Sequence, residues 1–191
     1  MNWLDSILGR TQPVQPNLDV LFEIPLAAYT LQAALDLRST GSGAVCFKPA
    51  EGAGARQSEA EILDLLHREP DVTVAVTTDD FGFTWITCQQ EVADLSALVT
   101  ALHAINSTLS DKGFGPSLLC TVIGFATADT PPHRLGLVYL FKRGTIYPFA
   151  PTGDTHRDNT LELQVRAALS SELPIEPDLE RWFPLWNAPL T

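Results

Sequence analysis

Leu95, Leu98, Val99, Leu102, Ile105 and Leu109 recur at helical spacing before Gly113 and Pro116 forbid continuation, and this is the clearest helix in the chain. A second apolar run opens at Pro25, a residue favoured in a first helical turn, and continues in helix formers to about Leu37; it predicts a largely buried helix. Trp3, Leu4, Ile7 and Leu8 share one face of a short amphipathic helix over residues 1–10, which Gly9 closes. The Pro-containing stretch 11–17 then reads as an extended linker. Ser58 and Glu61 form a capping box ahead of Ile62, Leu65 and Leu66, in a helix that stops before Pro70. Thr155 with Asp158 is expected to cap a last helix with Leu161, Val165, Ala168 and Leu169 inside and Glu162 paired to Arg166 outside.

Between these helices the period changes to two. Ala44–Phe47 reads as a short strand, and Val72, Val74 and Val76 alternate with polar or small residues. The turn residues Asp79-Asp80-Phe81-Gly82 lead into Phe83–Cys88, which predicts a hairpin with solvated acids at its tip. Leu118–Phe125, Leu135–Phe141 and Thr145–Tyr147 predict a three-strand meander. Hairpins outnumber strand-helix-strand alternations, so the expected fold is α+β: a single domain over residues 18–191 with a largely antiparallel sheet of about five to six strands covered by helices. Leu95, Leu98, Leu102, Ile105, Phe83 or Trp85, Val122 and Val138 are expected in one core.

Charge narrows the function classes. Twenty-three carboxylates against 12 Lys and Arg give a net charge of -11, which opposes binding to nucleic acid or anionic lipid. No run approaches the roughly 18 consecutive apolar residues of a membrane span, and the N-terminus lacks the pattern of a secretory signal. The expected location is cytoplasmic, with peripheral association at the inner face of the membrane left open. Cys46, Cys88 and Cys120 are odd in number, widely spaced and set in apolar runs, so they read as small buried hydrophobes; no metal or cofactor is expected.

Candidate chemistry is sparse. His67, His103, His133 and His156 have no metal-binding spacing, and His103 reads as a partly buried structural side chain. The chain carries no nucleophile elbow and no phosphate-binding glycine loop, and Ser117 has no histidine placed beside it, so no catalytic residue is assigned and an enzyme is not expected. His133, Arg134, Lys142, Arg143, His156 and Arg157 fall within 25 residues in expected loops. If they converge at one end of the sheet, Lys142, Arg143, Tyr147, His156 and Arg157 are candidate anion-binding residues beside a helix N-terminus. The simpler reading makes them solvated or paired loop charges. The Pro-punctuated C-terminal tail carries Trp182, Phe183 and Trp186, which must dock on the domain or on a partner.

The stretches Trp3–Arg10, Gly113-Phe-Gly-Pro, Lys142–Gly153 and Pro174–Trp186, taken together, resemble the PspA-associated protein PspAB family nearly end to end. The resemblance implies an accessory component of the phage-shock envelope-stress system, beside the membrane-remodelling coiled-coil protein PspA and often near a membrane metalloprotease of the HtpX type. It implies no catalytic residues. Trp3, Leu4, Ile7, Leu8, Trp182, Phe183 and Trp186 are then the candidate partner-binding residues of a non-enzymatic adaptor. The alternative is a small-ligand or anion-binding domain, or a weak phosphoester enzyme, built on the basic loop residues.

Overall fold

The computed structural model describes residues 16–48, 73–90, 94–153, 155–186 and 188. The N-terminal amphipathic segment, most of the linker, the capping-box helix with His67, and Val72 lie outside the described residues. Helix α2 (Leu95–Leu109) has the expected bounds: Asp94 Oδ1 accepts from the Ala97 amide at 2.8 Å, and Leu98, Leu102, Ile105 and Leu109 are buried. It closes through a turn in which Gly113 takes φ 90°, a conformation that favours glycine.

Six strands form one sheet: β1 (Arg38–Phe47), β2 (Thr73–Thr78), β3 (Thr84–Gln89), β4 (Leu118–Ala126), β5 (Arg134–Leu140) and β6 (Thr145–Phe149). Their spatial order is β2-β3-β1-β4-β5-β6, and every neighbouring pair is antiparallel, as expected. The hairpin β2–β3 and the meander β4–β5–β6 are joined through β1, which sits between them. This central strand starts six residues before the expected Ala44. Its polar Arg38-Ser-Thr-Gly segment pairs with the end of β4, and the register then slips between Ser39 and Gly43. Gly41 at φ 74° takes part in that irregularity, which reads in sequence as a turn.

The expectation of a single core is corrected. Val45, Phe47, Ile86, Ile123, Leu137 and Tyr139 face the helices, where they meet Leu98, Leu102 and Ile105, with Leu95 packed at the margin. Ala44, Cys46, Trp85, Cys120, Val122, Val138, Tyr147 and Phe149 form a second apolar layer on the other face. Period-two alternation leaves both faces apolar when both are covered, and seven consecutive positions of β1, Gly41–Phe47, are buried.

Helix α1 (Ile24–Leu35), entered through a 3₁₀ turn at Leu18–Glu23, buries Ile24, Ala27 and Leu31. It is not largely buried: Leu26 and Tyr29 are 71% and 74% exposed. By length and mean hydropathy, Leu18–Leu35 is long and apolar enough to cross a membrane, which the count of consecutive apolar residues did not anticipate. Here its inner face belongs to the helix-side core. Helix α3 (Asn159–Leu169) is capped by Asp158, whose Oδ1 accepts from Leu161 N at 2.9 Å, so it begins after the expected Thr155 box. Glu162 points inward, correcting its expected outside pairing with Arg166.

Candidate functional site

The chain beyond α3 runs back along β6 as an added edge. Ile146 N donates to Pro174 O at 2.9 Å, Glu176 N donates to Ile146 O at 2.8 Å, and Ile175 bridges Ile146 in parallel. Two buried carboxylates then fix the tail. Glu176 accepts from Arg143 Nε and Thr145 Oγ1, each at 2.6 Å, and from Asp178 N at 3.2 Å. Burial alone pushes the Glu176 carboxyl up, but these donors outweigh it and hold the group below the ordinary carboxylate range. At the other end, Arg157 Nε donates to both oxygens of Glu162 at 2.8 and 2.9 Å, and Glu162 also accepts from Ala150 N at 2.8 Å.

These anchors hold one aromatic residue in and turn two out. Trp182 stacks on Tyr147 with ring centroids 6.1 Å apart, and its Nε1 donates to Glu176 O at 3.1 Å. Tyr147 Oη donates to Phe183 O at 2.8 Å, and Arg157 Nη1 donates to Trp182 O at 2.7 Å. Trp182 is 6% exposed, whereas Phe183 and Trp186 are 58% and 37% exposed. Trp186 meets Phe149 edge-on at 5.3 Å, and the Arg157 guanidinium lies over the same Phe149 ring.

Beside Trp186 lies an open groove of about 800 Å³. One wall is the β4–β5 loop with Pro131, Pro132, His133 and Arg134, and the other is the loop from Ala150 to Gly153. Leu161 of α3, with Leu185 and Ala188 of the tail, adds apolar lining. The groove therefore combines proline and aromatic surface with His133, Arg134 and the carboxylates Asp129 and Asp158.

The basic loop residues do not all lie at one end of the sheet. Leu140 pairs with Thr145 and Gly136 with Phe149, so Lys142 and Arg143 sit at one end of the β5–β6 ladder. His133, Arg134, His156 and Arg157 sit at the other end, roughly 15 Å away along the strands. Tyr147 is buried between them, and Arg143 and Arg157 are each committed to a carboxylate. Lys142 and His156 are exposed. Elsewhere, His103 packs against Phe22 at 4.7 Å with Nε2 3.6 Å from Asp19, a half-buried place in keeping with a structural role.

A family model described as PspA associated protein B matches residues 1–190. The chain belongs to the PspAB family. No curated protein and no solved structure matches it. In this PspAB chain, two of the stretches that carry the resemblance, 142–153 and 174–186, pack against each other through Arg143–Glu176, Ile146–Ile175 and Tyr147–Trp182. Sequence reasoning singled out Tyr147, Arg143 and Arg157 but missed Glu162 and Glu176 as the buried partners of the two arginines. Glu176 stands 33 positions from Arg143, and no local pattern connects them.

Proposed function

We propose that this PspAB chain is a non-enzymatic accessory protein of the phage-shock envelope-stress response that associates with PspA through the outward side of its C-terminal tail. The family assignment supports the system and the partner. The observation that supports the surface is the division of labour in the tail: Trp182 is locked inward, whereas Phe183 stands exposed and Trp186 lines the groove. Aromatic side chains held in place lose little conformational entropy on docking, which is why they recur as anchors of protein interfaces. Arg143 and Arg157 are each paired to a buried carboxylate that fixes the tail, and this weighs against the anion-binding or phosphoesterase alternative. Trp3, Leu4, Ile7 and Leu8 are proposed as an auxiliary docking element for the same partner.

Crosslinking and mass spectrometry in the native host, during envelope stress, tests the reading. Crosslinks from the groove and tail to PspA support it; crosslinks to a membrane metalloprotease of the HtpX type alone would replace the partner. Recovery of neither overturns it.

A further inference from the structure

Cys46 of β1 and Cys120 of β4 are direct cross-strand partners on the tail-side face of the sheet. Cys88 is buried on the opposite, helix-side face. Facing residues of an antiparallel pair hold their Cβ atoms roughly 4.5–5.5 Å apart. A disulfide asks for about 3.5–4.5 Å between Cβ atoms, so a small closing movement of two strands suffices. Both side chains are buried in the same apolar cluster, and the proximity of Cys120 together with burial pushes the Cys46 thiol up. Tyr147 and Trp182 belong to the same buried cluster as the two cysteines, and Trp182 stacks on Tyr147, so the pair lies beneath the tail.

We propose that Cys46 and Cys120 are a redox-active pair which an oxidant of the diazene class converts to a cross-strand disulfide, leaving Cys88 reduced. In the first step one sulfur adds to the N=N bond, forming an S–N bond while its proton passes to the other nitrogen. In the second, the remaining thiol attacks that sulfur: the S–S bond forms, the S–N bond breaks and the hydrazine leaves with the second proton. Two electrons pass from the sulfurs to the diazene. The bridge ties β1 to β4 in the middle of the sheet and fixes the floor on which the tail rests. Cys88 has no thiol neighbour among its cross-strand partners, Gly43 and Val74.

The test is treatment of the folded, full-length protein with diamide, followed by alkylation under denaturing conditions and non-reducing peptide mapping. The expected product is a monomer lighter by two hydrogens, with the Cys46 and Cys120 peptides joined and Cys88 alkylated. Cys88→Ser should give the same bridge, and Cys46→Ser or Cys120→Ser should abolish the intramolecular product. A bridge that contains Cys88 overturns the proposal, as does a bridge between two copies. So does a folded chain that keeps all three thiols at a diamide concentration which fully oxidises dithiothreitol; these outcomes are read on the unmutated protein.

Discussion

Glu162 and Gly43 each mark a place where one side chain, or its absence, determines how elements meet. Glu162 shares a face of α3 with the buried Val165 and Leu169, three and seven positions on, and reaches Arg157 and the Ala150 amide inside the protein. Removing its charge leaves a largely buried guanidinium without its counter-ion, so Glu162→Gln should cost on the order of 3 kcal/mol in urea unfolding. A loss below about 1 kcal/mol would mean that Arg157 finds another partner. At Gly43, an added Cβ would lie 2.7 Å from Leu102 Cδ1 and 3.1 Å from Val122 O. The helix therefore approaches the central strand as closely as glycine permits. Gly43→Ala should destabilise by roughly 1–3 kcal/mol, and Leu102→Ala by roughly 2–5 kcal/mol. Both are measurable as shifts in the denaturation midpoint. Leu102 was legible because it repeats at helical period. Glu162 was not, since a charged residue at an i,i+4 spacing from Arg166 gives the same pattern whether it faces water or a buried arginine.

Among the elements, the tail depends most on a titratable group. The Glu176 carboxyl is held below its ordinary value in the folded protein, so its contribution is full above that ordinary value, near pH 4.5, and is lost as pH falls through the lower folded value. Trp182 should leave Tyr147 in that acidic window, giving a red-shifted fluorescence transition that Glu176→Gln abolishes by releasing the tail at neutral pH. A transition unchanged in Glu176→Gln would assign the effect elsewhere. Asp79 sends the same sign through the β2–β3 turn. Burial opposes its ionisation, but the Trp85 indole and nearby backbone amides outweigh it. The sequence reading placed Asp79 in solvent at the hairpin tip, whereas it accepts from Phe81 N, Phe83 N and Trp85 Nε1. Strand and helix existence followed from period. The bounds of β1 did not, because a polar start and a glycine irregularity erase the alternation, and docking of an aperiodic tail depends on contacts far apart in sequence.

Across the whole molecule, the sheet separates two jobs. The helix-side layer, with α2 against β1 and β4, makes the principal core; the other face carries a smaller layer closed in part by the tail. The antiparallel α+β architecture was readable from the count of hairpins. That both faces are apolar, and that the basic loops divide between opposite ends, depends on strand order and register, which local pattern does not contain. The buried charges brace the tail, which leaves Leu179, Phe183 and Trp186 exposed, and the proposed function rests on the last two. The most direct test is the affinity of purified full-length chain for PspA, compared with that of the Phe183→Ala/Trp186→Ala double variant. Unchanged Trp182 fluorescence in the variant certifies that the tail remains docked. If each aromatic anchor contributes about 2 kcal/mol, the double variant loses about 4 kcal/mol and should bind roughly 700-fold more weakly. Equal affinity of the two proteins, or no binding of PspA by the unmodified chain, would contradict the account.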